Sequence, residues 1–365
     1  MNFLTTLIPL IIPFLYTSIG GLRVAIIIPV ILILTLATQK KWEIKNKKIL
    51  LIQSLMLVLM VTYALLTGYY DNLFAFLIFF ILSIFLSLKS FNDDKLMRLM
   101  KIYVFMGVFS AVGLIIQYFT YSILGVTFGT VILFNNRTAF SFLWLDFSFF
   151  SLYLASLVPL IFFVFKKNYI KLLLSLVVLI ASFITTARTG VFAFFLFFTF
   201  YILYHAYQIF LTGRLSLNNT KIIFSILLIS PLVLLGIPYI QSLSNREITA
   251  SDSGRTEGYL SALNYVENNL FFGYMFDSDN YFNNINVLPH NSILYILTMG
   301  GVVFLLLFCI FLTLIFFYSK NKFILSSILI SLIGTMFIPS FYSMYYLGFL
   351  ISASLAYYNL STRSN

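Results

Sequence analysis

The sequence predicts an all-α fold, a polytopic transmembrane helix bundle of about twelve helices with one large extracytoplasmic loop. Three observations lead there. The composition is too apolar for water, the apolar residues fall into helix-length runs, and the cations are segregated between those runs.

Of 365 residues, 61% are hydrophobic and 9% charged, whereas a soluble domain carries about 25% charged residues. A soluble fold of this length cannot hide so much apolar surface, so lipid must cover part of it. The 43 Phe and 24 Tyr are accounted for as lipid-facing and interfacial side chains. The formal net charge is +11, which in a soluble protein would raise nucleic acid as a partner. Here the cations sit in short loops between apolar runs, as membrane topology requires, and a nucleic-acid partner is discarded. Cys309 is the only cysteine, which excludes an internal disulfide and a cysteine-based metal cluster.

A spanning helix needs about 20 mainly apolar residues. Runs of that kind cover 3–19, 24–39, 49–68, 73–88, 102–123, 141–165, 172–187, 190–212, 222–240, 291–318, 323–339 and 341–359. The first two have no small-residue cleavage pattern between them and read as retained helices, not a removed signal peptide. The one long non-apolar stretch is 241–290.

Cytoplasmic loops of membrane proteins collect Lys and Arg. With both termini cytoplasmic, the inside holds every lysine from Lys40 to Lys322, together with Arg98, Arg214 and Arg363. The outside keeps Arg23, Arg137, Arg188, Arg246 and Arg255. The topology rule explains why outer cations are few, not why all of them are arginine. Guanidinium is planar, permanently charged and binds phosphate or carboxylate through paired donors. The outer arginines therefore point to an anionic ligand. Pairing with Asp71, Glu247, Asp252 or Glu257 explains them equally well.

Within the long loop, Arg255 to Asn268 has apolar positions at Tyr259, Ala262, Leu263 and Val266. That spacing predicts a short amphipathic helix lying on the membrane surface, capped by Asp252 or Ser253. Arg255 falls in its first turn, where a cation opposes the helix dipole. This fits a ligand-binding arginine, and a salt bridge to Asp252 or Glu257 fits it too. His290 ends the loop in Leu288-Pro289-His290-Asn291-Ser292, where proline fixes the backbone before a new helix. An outward histidine there suits a general base or a phosphate partner, and a structural role suits it as well. His205, deep in a run, is a packing or interfacial residue. Asp146, in Leu143-Trp144-Leu145-Asp146-Phe147, lies near the outer end of an apolar run, where an ionisable group is costly and marks a functional position. Arg137 is its nearest partner in sequence. No nucleotide-binding loop, HExxH pair or dinucleotide fingerprint is present.

Three stretches and one looser pair carry a resemblance. They are Thr186-Ala187-Arg188-Thr189-Gly190-Val191; Arg255 and Tyr259 followed by Asn268-Asn269-Leu270-Phe271-Phe272-Gly273; His290-Asn291-Ser292-Ile293-Leu294 followed by Gly300-Gly301; and Arg137 with Asp146. In this order, on one side of one topology, they resemble the O-antigen polymerase (Wzy) and O-antigen ligase superfamily. Tyr259 stands where that family commonly has Trp, Leu270 where it has Pro, and Tyr274-Met275 where a second glycine often follows.

The resemblance implies a GT-C-like polymerase/ligase bundle acting on the outer face of the cytoplasmic membrane. Donor and acceptor would be oligosaccharide repeat units linked to undecaprenyl pyrophosphate, within membrane lipid, with a chain-length regulator and a flippase as further partners. It implies inverting transfer without metal or cofactor. Arg188 and Arg255 would bind the pyrophosphate, and His290 would take the acceptor proton or bond the phosphate. Arg137, Asp146, Asn291, Tyr259 and Arg246 would line the substrate site. An O-antigen ligase shares the fold and donor. A transporter or lipid-linked oligosaccharide flippase also fits twelve helices, although its charges would be spread through many of them.

Overall fold

A computed structural model describes residues 3–19, 22–37, 46–88, 91–134, 137–212, 255–284 and 288–362. The ninth apolar run, 222–240, lies outside them, as do Asp252 and Ser253. The described chain is mostly helical. The helices are α1 Phe3–Ile11, α2 Ile27–Ala37, α3 Lys47–Thr67, α4 Asp71–Phe85, α5 Asp93–Leu124, α6 Phe147–Val164, α7 Asn168–Ile184, α8 Arg188–Thr212, α9 Arg255–Asn268, α10 Ser278–Asn284, α11 Ser292–Tyr318, α12 Lys322–Gly334 and α13 Tyr345–Ser361. Two antiparallel hairpins join them: β1 Ser18–Ile19 with β2 Leu22–Arg23, and β3 Thr130–Phe134 with β4 Arg137–Phe142. Six of the described helices are long and apolar enough to cross a membrane: α3, α4 with its following 3-10 turn, α5, α6, most of α8, and α11.

α5 shows how a membrane helix reverses the usual amphipathic pattern. Phe105, Phe109, Val112, Ile116, Phe119 and Ile123 form an exposed apolar stripe at helical spacing. Its buried face carries Tyr103, Ser110 and Gln117. The apolar side meets lipid and the polar groups turn inward, where protein can satisfy them. α6 and α13 are the axis of the bundle. Residues 150–158 and 346–356 are buried almost without a break, as expected of helices that are apolar all round. Small residues make the close approach possible. A Cβ on Gly348 of α13 would come 3.0 Å from the Phe79 carbonyl oxygen of α4, and one turn on Ser352 Oγ accepts from Leu86 N at 2.7 Å.

Several expected boundaries move. The run 3–19 is not one helix. α1 stops at Ile11, a 3-10 turn containing Pro13 follows, and the chain then enters β1. The run 141–165 begins as strand and turn, with helix only from Phe147. Asp146 is therefore not inside a spanning helix but at its start. α11 spans the expected 291–318 but is broken at Gly301, whose φ of 70° and ψ of −178° are not helical.

The break is filled by the turn that follows α9. Leu270 and Phe271 carbonyls accept from Val302 N (2.9 Å) and Val303 N (3.4 Å), while Tyr274 N and Phe276 N donate to the Thr298 and Met299 carbonyls, both at 2.9 Å. The backbone groups released by the broken helix are thus paired.

Candidate functional site

A helix, α9, occupies the stretch the spacing marks, and its buried stripe is Gly258, Ala262 and Val266, against α11. Leu263, expected on that face, is exposed. Tyr265 stacks on Tyr274 with ring centroids 3.6 Å apart, which ties the end of α9 to the turn. Tyr259 is half-buried, and its hydroxyl donates to the His290 carbonyl oxygen at 3.1 Å. Arg255 is the first residue of α9, about one helical turn before Tyr259.

His290 is exposed, between buried Pro289 and the cap of α11. Asn291 is that cap. Its Oδ1 accepts from Ile293 N (2.9 Å) and Leu294 N (3.2 Å). Ser292 Oγ donates to the Ile338 carbonyl at 2.8 Å. The start of α11 is therefore held from both sides, and His290 rides on it.

Asp146 caps α6 in the same way, Oδ1 accepting from Ser148 N (2.7 Å) and Phe149 N (3.0 Å). Burial pushes its carboxyl above the ordinary value. The two capping amides and the charge of His290 pull it back down. That last cause puts Asp146 and His290, far apart in sequence, within electrostatic reach of each other.

Arg188 opens α8. Ala187 N donates to Thr185 Oγ1 at 3.1 Å, and Thr186 has a φ of 59°, which sets the sharp turn from α7. Gly190 N donates to Ser151 Oγ of α6 at 3.3 Å. A Cβ on Gly190 would lie 2.1 Å from the Ser151 carbonyl oxygen, so only glycine allows this crossing. Ser151 is five residues after Asp146, which brings the start of α8 beside the N-terminal end of α6. Arg137 opens β4, in register with Phe134. Arg246 lies outside the described residues.

The other motif glycines have equally local reasons. Gly273 has a φ of 59°, and a Cβ there would lie 2.2 Å from the Thr298 carbonyl oxygen. On Gly301 it would lie 2.0 Å from the Phe271 carbonyl oxygen.

Three positioning residues escaped the sequence reading. Asn72 of α4 donates Nδ2 to the Phe276 carbonyl (2.7 Å) and to Ser278 Oγ (3.0 Å), and accepts from Tyr342 Oη (2.9 Å). Buried Gln117 of α5 accepts from Phe142 N (2.9 Å) and donates to the Thr130 carbonyl (3.2 Å), gripping the hairpin before Asp146. Ser151 anchors α8. The signal available in sequence was a polar residue inside or bordering an apolar run, where its hydrogen bonds must be met by protein. Among the described residues no three His, Cys, Asp or Glu gather as a metal-holding group.

The sequence matches no protein-family model and no curated protein.

Proposed function

We propose that the chain is a polysaccharide polymerase of the cytoplasmic membrane, with both termini cytoplasmic, joining undecaprenyl-pyrophosphate-linked repeat units on the outer face. The observation that carries this reading is the hydrogen bond from Tyr259 to the His290 carbonyl. It ties the helix that begins with Arg255 to the residue suited to be a base. The charge of His290 felt at Asp146, and the packing of the α8 start against α6 through Ser151 and Gly190, support a single cluster at this end of the bundle.

In this mechanism the acceptor hydroxyl attacks the anomeric carbon of the donor sugar. A new C–O bond forms as the bond to pyrophosphate breaks, with inversion. His290 takes the hydroxyl proton, and Asp146 stabilises the resulting imidazolium. Arg188 and Arg255 neutralise the charge that builds on the departing pyrophosphate, where preorganised donors contribute most. The two roles need no metal and no nucleotide.

Arg188→Ala, Arg255→Ala and His290→Ala are each expected to abolish long polymer while single repeat units are still made and exported. Lipid-linked units accumulating on the cytoplasmic leaflet would instead identify a flippase. Polymer of normal length that fails to reach a second acceptor would identify a ligase.

A further inference from the structure

The turn between α9 and α10 is polar in sequence context but apolar at its tip. Leu270, Phe271 and Phe272 are all exposed, Phe271 to 65%. An exposed Leu-Phe-Phe tip on a water-filled loop would be costly. Its depth in the bundle removes the difficulty.

Lys320 and Lys322 mark one membrane boundary, with Lys320 Nζ 6.0 Å from the ring of Tyr358, an interfacial pairing. From Tyr318 up to Gly301, α11 rises at most about 26 Å. A second route bounds Ser292, nine residues beyond Gly301 along α11. α12 and the 3-10 turn Thr335–Phe337 carry the chain at most about 25 Å from Lys322 to Ile338, and Ile338 accepts from Ser292, the first residue of α11. Any tilt lowers both values. The hydrocarbon layer is about 30 Å thick, so the break at Gly301 and the turn bonded into it lie within that layer.

Backbone at that depth must be satisfied by protein, and this turn meets the requirement. Besides its four bonds across the break in α11, Gly273 N donates to the Asn269 carbonyl (3.0 Å), Asp277 N to the Tyr274 carbonyl (3.0 Å), and Asn72 Nδ2 to the Phe276 carbonyl (2.7 Å). At the tip the side chains left facing out are apolar, Leu270, Phe271 and Phe272, while exposed Asn269 and half-buried Asp277 stand at the two ends of the turn. The three apolar side chains continue the exposed apolar strip of α11 at Leu306, Ile310 and Phe317.

We infer that residues 269–277 form a re-entrant turn that reaches into the leaflet opposite Lys320 and presents Leu270, Phe271 and Phe272 to the hydrocarbon chains of membrane lipid. The inference does not depend on the polymerase reading. It makes the loop carrying Tyr259 a membrane-anchored element with its tip in lipid.

The test uses the unmodified protein in phosphatidylcholine vesicles containing a lipid with a photoactivatable diazirine in the acyl chain. Adducts mapped by mass spectrometry are expected on Leu270–Phe272 at a yield similar to the Leu306, Ile310 and Phe317 strip, and not on Asn283 and Asn284. Labelling of the strip without the turn overturns the inference. A second measurement places an environment-sensitive fluorophore at Phe271→Cys in a Cys309→Ser background. Quenching by chain-attached spin labels at least about five times stronger than by aqueous iodide is expected. Iodide quenching, or quenching by neither, overturns it, the latter because protein then covers the tip.

Discussion

The hydroxyl of Tyr259 and the backbone carbonyl of His290 are 31 residues apart in sequence and 3.1 Å apart in space. The bond joins α9 to the residue just before α11, so the position of α9 is coupled to the start of α11. Tyr259→Phe removes only the donor. A net hydrogen bond contributes about 0.5–1.5 kcal/mol, so thermal unfolding in detergent is expected to shift by a few degrees at most. On the proposed polymerase reading, polymer length on gels is expected to fall clearly, because the geometry around His290 loosens. Unchanged polymer would show that the bond plays no part in activity.

Asp146 separates two roles that one substitution confounds. Asn is as good an N-cap as Asp, and Ala loses about 1 kcal/mol. Asp146→Asn is therefore expected to fold as stably as the parent at neutral pH, and Asp146→Ala less stably. The folded-state pKa is raised above 3.8, so the folded protein holds this proton more tightly than the unfolded chain. The associated stability is fully present below the unfolded value and is lost as pH rises through the folded one. Asp146→Asn should lack that slope when unfolding is followed upward from about pH 4. If Asp146 also stabilises a charged His290, Asp146→Asn loses polymer despite folding well.

Glycine substitutions should sort by space rather than by backbone angle alone. Gly125 has a φ of 65° with nothing within 4 Å of a built Cβ, so Gly125→Ala is expected to cost about 1–2 kcal/mol from the left-handed backbone. Gly301→Ala and Gly273→Ala add contacts of 2.0 and 2.2 Å with carbonyl oxygens. Each is expected to cost on the order of 3 kcal/mol or more and to open the turn to protease. Equal losses at all three sites would argue against the helix break.

Asn72→Ala removes both donors that hold Phe276 and Ser278 and the acceptor for Tyr342. Leaving such groups unpaired is expected to cost about 1–3 kcal/mol. Limited proteolysis should cut faster in the segment from Asp277 to His290, with the rest of the bundle unaffected.

Much of the bundle was legible because burial in lipid is written locally. The exposed stripe of α5, from Phe105 to Ile123, repeats at helical spacing and needs no partner to be recognised. α9 was legible from Tyr259, Ala262 and Val266 for the same reason. Its orientation was not, since Gly258 rather than Leu263 lies against α11. Asp146 read as a charge within a spanning run because Phe142-Leu143-Trp144-Leu145, the end of β4 and the turn after it, is as apolar as a helix, and hydropathy does not distinguish the two. The β3–β4 hairpin depends on Gln117, which lies on another element.

The sequence alone determined that this chain is suited to a membrane and marked the runs of α3, α4, α5, α6, α8 and α11, which are long and apolar enough to cross one, because transfer from water to lipid adds up residue by residue along the chain. It also placed Arg188, Arg255 and His290 at element starts, through the proline, glycine and capping residues beside them. Tertiary structure alone decided that α11 breaks at Gly301, that a turn some thirty residues earlier fills the break, and that Tyr259 bonds the carbonyl of His290. Those outcomes depend on hydrogen bonds and close contacts between residues remote in sequence. A glycine pair or a buried asparagine acquires its meaning only from what packs against it.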